Sequence, residues 1–284
     1  MVAEAGSNFN QDIDTAKLMI EVAYRAGADA IKFQLFRAEI LDPCRTGLYE
    51  VFKSIELQQE WIPKLMDHAR SIGIHFSASA FDMQSVDILE QAGVPFHKIA
   101  SSEVTNLPLI HKLASTGKPI FLSTGMSDMV DVEQAVNVCK DLGNDSVVLM
   151  QCGALYPLPI ELANLKVLET FASRFKGVLG FSDHTTDILA STVAVGLGAT
   201  VFEKHFTLDK SSDGPDHFYA NEPNELGAYI KNLQNAYFCL GASEKQMLEQ
   251  ERREGRREGI YAKRNLRAGE AISHNDIESK RPPL

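Results

Sequence analysis

The sequence predicts a closed (β/α)8 barrel. Three observations carry that expectation. A short β-type run followed by a helix-length segment of 3.6-residue periodicity recurs eight times. The eight units fill about 240 residues, the size of such a barrel. The first β-type run leads into Glu4-Ala5-Gly6-Ser7-Asn8, which lacks the glycine-rich loop that a dinucleotide-binding open sheet places there.

Taken in order, strands are expected at residues 2–5, 30–34, 74–79, 96–100, 119–124, 147–152, 177–182 and 200–205. Helices should begin near Asp12, Gln58, Met83, Leu107, Asp128, Glu161, Thr185 and Asn224, with Asp12, Asp128 and Asn224 suited to N-caps. Gly27, Gly73, Gly93, Gly117, Gly143 and Gly198 mark where helices close. Strand, helix, strand implies neighbouring parallel strands, so the two runs that lead to His184 and His205 should lie side by side.

The chain has 284 residues, 44% of them hydrophobic, enough for a sizeable core. Its formal net charge is -10, and no Lys/Arg-rich run precedes residue 252, which argues against nucleic acid as a partner. No apolar run approaches the length of a membrane span, and no secretory signal is visible. Cys44, Cys139, Cys152 and Cys239 have no paired spacing and suit a reducing cytoplasm. The chain opens inside what reads as a strand, so further residues are expected before it.

In such barrels chemistry gathers at the C-terminal ends of the strands, and here those ends are polar. They offer Glu4; Lys32 and Gln34; Ser77 and Ser79; Lys98, Ser101 and Glu103; Ser123 and Thr124; Gln151, Cys152 and Tyr156; Ser182 and His184; and His205. Each hydroxyl taken singly is accounted for as a turn former or cap. The two lysines are not, because an ammonium in an apolar strand costs desolvation unless an anion meets it. His184 and His205 are either structural or a metal pair. Glu4, Glu103 and Asp183 provide acid–base groups, and Asp183 and Glu203, which flank the histidines, could orient a ring or a metal-bound water. From this chemistry the expected ligand is an anionic, phosphorylated substrate beside a metal.

Several motifs together resemble a known family. They are Glu4-Ala5-Gly6, Lys32-Phe33-Gln34, Lys98-Ile99-Ala100-Ser101-Ser102-Glu103, Ser123-Thr124-Gly125-Met126, Ser182-Asp183-His184-Thr185, Glu203-Lys204-His205-Phe206-Thr207 and Gly214-Pro215-Asp216. In order and spread they resemble the sialic acid synthases, which include the N-acetylneuraminate, pseudaminic and legionaminic acid synthases and the spore coat polysaccharide proteins. The resemblance implies residues 1–241 as the barrel and 242–260 as a charged linker. It implies 261–284 as the truncated start of a C-terminal antifreeze-like (SAF) domain, with Lys280-Arg281-Pro282 part of it. It also implies a domain-swapped homodimer. The activity it implies condenses phosphoenolpyruvate with an N-acylated amino sugar and releases phosphate. By the same resemblance Lys32, Lys98, Ser101, Ser123 and Ser182, with Ser79 beside them, hold phosphoenolpyruvate. His184 and His205 hold Mn2+ or Mg2+. Gln34, Glu103, Tyr156 and Asp216 face the sugar, and Glu4 is the acid–base candidate.

The chain departs from the family pattern at Phe9, where a histidine is usual, at Ala80 in the third strand's loop, and at Ala154 in the sixth. The segment between Gln34 and Trp61 is also short. These departures point to a divergent subgroup. Two other functions remain open: a class I aldolase with a Schiff base on Lys98 or Lys32, and a sugar-binding barrel without turnover.

Overall fold

The computed structural model describes residues 1–255 and 257–281. Eight parallel strands close into a barrel: β1 (Val2–Gly6), β2 (Ala30–Leu35), β3 (His75–Ala80), β4 (His97–Ile99), β5 (Ile120–Ser123), β6 (Val147–Cys152), β7 (Val178–Asp183) and β8 (Ala199–His205). Each pairs with the next, and β8 pairs with β1. The helices are α1 (Ile13–Ala26), α2 (Ala38–Leu41), α3 (Tyr49–Ile55), α4 (Ile62–Ile72), α5 (Met83–Ala92), α6 (Leu107–Ala114), α7 (Met129–Asp141), α8 (Val167–Arg174), α9 (Leu189–Gly196) and α10 (Pro223–Leu240). The barrel expectation is met.

The local differences have local causes. Asp12 caps α1 through the backbone amides of Asp14 and Thr15, and Asp128 opens α7 with a capping box. Asn224, expected as a cap, lies inside α10, because Pro223 takes the first helical position. The helices expected from Glu161 and Thr185 start later, at Val167 and Leu189, since the strand-end loops run on before them. The segment between Gln34 and Trp61 carries two short helices, α2 and α3, which the sequence reading did not assign.

Strand alternation sorts the side chains into two populations. Ala3, Ile31, Phe33, Leu35 and Phe76 face outward and form the main core with Met19, Ile20, Leu65, Leu89 and Leu109 of the helices. The residues between them face the barrel axis. At one level Val2, Ala30, Phe96 and Phe121 form an apolar floor, with the Phe96 and Phe121 rings stacked at 4.4 Å. One step further along the same strands come Glu4, Lys32, Lys98 and Ser123, all buried. The floor therefore closes the barrel beneath the polar layer.

Phe9 belongs to the outer population. It is fully buried, with its ring centroid 6.0 Å from Phe33 and 6.3 Å from Trp61. Ala80 also packs in the outer core. These two departures from the family pattern are packing choices on the helix side of the strands.

Residues 241–284 form a second compact unit. It contains α11 (Glu249–Glu254) and an antiparallel pair, β9 (Gly259–Ala262) and β10 (Ile277–Lys280). Arg264 pins it locally, 2.7 Å from Asp276 and paired also with Glu270. Arg256 of the charged run and Pro282 of the tail motif lie outside the described residues.

Inside the barrel Met150 of β6 fills the space that Gly180 of β7 leaves. A Cβ on Gly180 would sit 2.7 Å from the Val201 carbonyl oxygen and 2.9 Å from Met150 Cγ. The carbonyl belongs to the neighbouring strand and cannot move aside freely. Gly180→Ala should therefore cost about 1–3 kcal/mol as overpacking, read as a lower midpoint in urea unfolding. An unchanged midpoint would mean that the strand adjusts without strain.

Candidate active site

The polar layer above the floor holds a charge cluster. Lys32 Nζ lies 2.6 Å from Glu4 Oε2 and 3.8 Å from Glu203 Oε2, and it donates to Ser79 Oγ at 2.9 Å. Lys98 Nζ lies 3.7 Å from the other Glu203 oxygen, Oε1, and donates to the Ile99 carbonyl at 3.0 Å. Ser182 Oγ donates to Glu203 Oε1 at 3.0 Å. Strand register brings these residues together: Glu4 pairs with Lys32 and His205, Ser79 with Lys98, and Ser182 with Glu203.

The two carboxylates part in character. Burial raises Glu4 from its ordinary 4.5 to about 7, and Lys32 only partly offsets it. Burial would raise Glu203 too, but Lys32 and Lys98 together pull it down to about 2. Glu203 is thus the permanent counter-charge and Glu4 the group poised to exchange a proton near neutrality. Burial alone would lower Lys32, yet Glu203 and Glu4 hold it above its usual value. Lys98 is lowered by burial, which Glu203 does not fully offset. Glu4 Oε1, Glu203 Oε2 and Ser123 Oγ are buried without a hydrogen-bond partner. Such orphaned polar atoms are costly in a finished core and natural in a site that receives a polar ligand.

The histidines stand at the same edge, with ring centroids 5.4 Å apart. His184 Nδ1 is 2.7 Å from the Gly153 carbonyl, which can only accept, so Nδ1 bears the proton and the neutral ring has its lone pair on Nε2. Burial alone would raise the Cys152 thiol and lower His184, but their contact at 3.8 Å reverses both shifts. Burial holds His205 down to about 3, so its ring is neutral. Its Nδ1 faces the Tyr219 hydroxyl at 3.3 Å. In their neutral forms the two rings, each with a free Nε2, would fit a divalent ion that takes the rest of its shell from water and substrate. No set of three or more His, Cys, Asp or Glu side chains placed around one ion occurs among the described residues.

The other expected residues gather nearby with varied engagement. Ser101 Oγ accepts from the Gly125 amide at 3.0 Å and faces Cys152 Sγ at 3.5 Å. Tyr156 lies over His184, 4.2 Å between centroids, and is half exposed. Asp216 accepts from Tyr219 and from Ser7. Gln34 is in register with Ser79. Glu103 accepts from Asn106 at 2.8 Å, a local contact in its own loop.

Asp183 corrects an expectation. It does not orient a histidine or a metal-bound water. It points to the helix side, where it accepts from Thr185, Ser191 and Tyr229 and pairs with Lys204 at 3.4 Å. The period of two explains this, since Ser182 and His184 face inward and Asp183 between them must face outward. The same rule brings Glu203 inward with His205 and sends Lys204 out, so Glu203 counters the lysines. Tyr219 was missed altogether, because its role depends on how the loop after β8 folds back.

The NeuB family's sequence model matches residues 19–245. The N,N'-diacetyllegionaminic acid synthase of Legionella pneumophila is 39% identical over 302 residues, covering 99% of this chain and 85% of its own. The chain belongs to the NeuB family. An uncharacterized protein of Methanocaldococcus jannaschii is 44% identical over 285 residues, covering 99% of this chain and 84% of its own. The crystal structure of N-acetylneuraminic acid synthetase from Leptospira borgpetersenii, in complex with citrate, aligns with a TM-score of 0.84 at 30% identity, over 89% of this chain and 88% of that one. Membership in NeuB bears out the resemblance drawn from the motifs. No described helix is long and apolar enough to cross a membrane.

Glu4 has a pH signature. Its folded value lies above its free value, so its proton-bound form contributes stability below about pH 4.5 that is lost as pH rises through about 7. Glu4→Gln fixes a neutral side chain. Between pH 5 and pH 8 its unfolding free energy should gain about 2 kcal/mol relative to the parent chain. A constant difference across that range would show that Glu4 titrates as an ordinary carboxylate.

Proposed function

We propose that this NeuB-family chain condenses phosphoenolpyruvate with an open-chain N-acylated amino sugar to give a sialic-type acid and phosphate. One observation carries the reading. With Glu4 proton-bound, the buried layer contains Lys32 and Lys98 as cations and Glu203 as the single anion, a net positive charge inside a closed barrel whose mouth is open. A small dianion is the ligand that such a layer favours.

In this reading C3 of phosphoenolpyruvate attacks the sugar aldehyde carbon and forms the new C–C bond. The aldehyde oxygen takes a proton, which Glu4 gives in this reading; its raised pKa supports that role. The attack leaves C2 electron-poor; water adds there and returns a proton to the Glu4 carboxylate, and the C2–O bond to phosphate breaks as the C2 hydroxyl proton leaves with the phosphate and C2 becomes a keto carbon. Lys32, Lys98, Ser123 and Ser182 hold the phosphate and carboxylate, with Ser79 fixing Lys32 and Ser101 flanking the β4–β5 edge. Tyr156, Gln34 and Asp216 border the side open to the sugar. His184 and His205 would hold Mn2+ or Mg2+, which when bound supplies Lewis-acid polarisation of the aldehyde oxygen.

The test is phosphate release by the full chain from phosphoenolpyruvate with a panel of N-acyl hexosamines, with Mn2+ or Mg2+ and with EDTA. The expected result is release that needs both a sugar and the metal. Release that survives EDTA, with a borohydride-trapped adduct on Lys98, would favour the Schiff-base aldolase instead.

Lys98→Met is the sharper probe of the anion site. Lys98 has no carboxylate closer than 3.7 Å, whereas Lys32→Met would strand Glu4 and Glu203 and cost about 3–5 kcal/mol of stability. Lys98→Met should fold and lose about 2–5 kcal/mol of phosphoenolpyruvate affinity, measured by calorimetry. Unchanged affinity would remove Lys98 from the anion site.

A further inference from the structure

The loop after β8 folds back over the end of β1 and is fastened there at several points. Asn8 Nδ2 donates to the Phe206 carbonyl at 2.9 Å. His217 bridges Asn10 Oδ1 at 2.9 Å and Thr207 Oγ1 at 2.6 Å. Ser7 Oγ donates to Asp216 Oδ2 at 3.3 Å. Gly6 turns β1 into this clamp with φ +52, and a Cβ there would lie 2.7 Å from Asp216 Oδ2 and 3.5 Å from the His205 ring. The clamp delivers two side chains to His205: Asp216 and the buried Tyr219.

A tyrosine hydroxyl has one proton to give. Tyr219 gives it to Asp216 Oδ1 at 2.8 Å, a carboxylate that can only accept. Towards His205 Nδ1, at 3.3 Å, the same oxygen can then act only as acceptor. His205 must therefore carry its proton on Nδ1 and keep a lone pair on Nε2. The ring is also held by its edge contact with Tyr219, 5.2 Å between centroids at 62°. Both Asp216 oxygens are occupied, one by Tyr219 and one by Ser7.

We propose that Tyr219, oriented by Asp216, is a positioning residue that sets the tautomer of His205 and keeps its Nε2 free to bind a metal. The consequence for metal binding rests on the function proposed above; the tautomer itself does not. Asp216 then acts through Tyr219 as well as bordering the sugar side. The arrangement is the phenol version of the common device in which a carboxylate or carbonyl fixes a ligating imidazole.

The test uses the metal-free full chain with 15N-labelled histidine, the His205 signals being assigned by their loss in His205→Gln. The wild-type spectrum should show Nδ1 protonated. Tyr219→Phe keeps the ring packing and deletes the oxygen, so the Nε2–H form should appear. Asp216→Ala should do the same by a different route, because the Tyr219 proton is then free to be donated to Nδ1. Mn2+ titration followed by EPR should show binding weakened at least tenfold in Tyr219→Phe. Retention of the Nδ1–H tautomer in both variants would overturn the proposal, as would Nε2–H in the wild type. If the tautomer switches as expected while wild-type protein binds no Mn2+, the metal reading of the site fails and the positioning role of Tyr219 stands.

Discussion

Four ionisable side chains inside a closed barrel are the constraint on which this structure turns. Glu4, Lys32, Lys98 and Glu203 are each almost wholly buried, where an unpaired charge is costly. Ion pairs buried in this way rarely stabilise a fold relative to well-packed apolar residues, and breaking one is expensive. Their arrangement makes sense as machinery. Glu203 sits between two lysines and stays ionised, which displaces the proton affinity of the cluster onto Glu4. The apolar floor of Val2, Ala30, Phe96 and Phe121 beneath it shuts the other end of the barrel. It keeps the local dielectric low, so each charge acts strongly on whatever enters from above.

A second polar network backs the first across the sheet. Asp183 and Lys204 occupy the outward positions between Ser182 and His184, and between Glu203 and His205. Asp183 gathers hydrogen bonds from Thr185, Ser191 and Tyr229, and Lys204 donates to the Thr185 carbonyl. Strands β7 and β8 are thereby tied to α9 and α10 at the residues that neighbour the two histidines. The inner face carries the candidate site, and the outer face fixes the backbone that presents it. Side chains tied on both faces of a strand leave the intervening Cα positions little freedom, which is what a site needing sub-ångström placement requires.

The barrel was legible because its signal is repetitive: eight β-type runs, eight amphipathic helices and glycines that close several of them. The inward ring was legible because a lysine in an apolar strand stands out. What could be sorted only with more care was the facing of charged neighbours. Asp183 looked like a site residue by adjacency to His184, yet strand alternation places it outside, and the same alternation promotes Glu203. Tyr219 carried no such signal. Its contact with His205 is made by a loop whose path depends on Asn8, Asn10 and Ser7, residues some two hundred positions earlier in the chain. Helix starts after β6 and β7 were misjudged for a related reason, since those loops extend to build the mouth before the chain turns helical.

The departures from the family pattern separate by the same geometry. Phe9 and Ala80 change the packing between strands and helices and do not touch the polar layer. Ala154 is different in kind. A Cβ built on Gly125 would lie 3.2 Å from the Ala154 Cβ and 2.9 Å from Ser101 Oγ, so Ala154 borders the same edge of the mouth as Ser101. Ala154 offers that edge a methyl and no side-chain donor, while the lysines and histidines of the inner face stay in place. The charged layer is thus untouched by all three departures, and Ala154 is the one that changes the chemistry of the mouth, along its edge between β4 and β6.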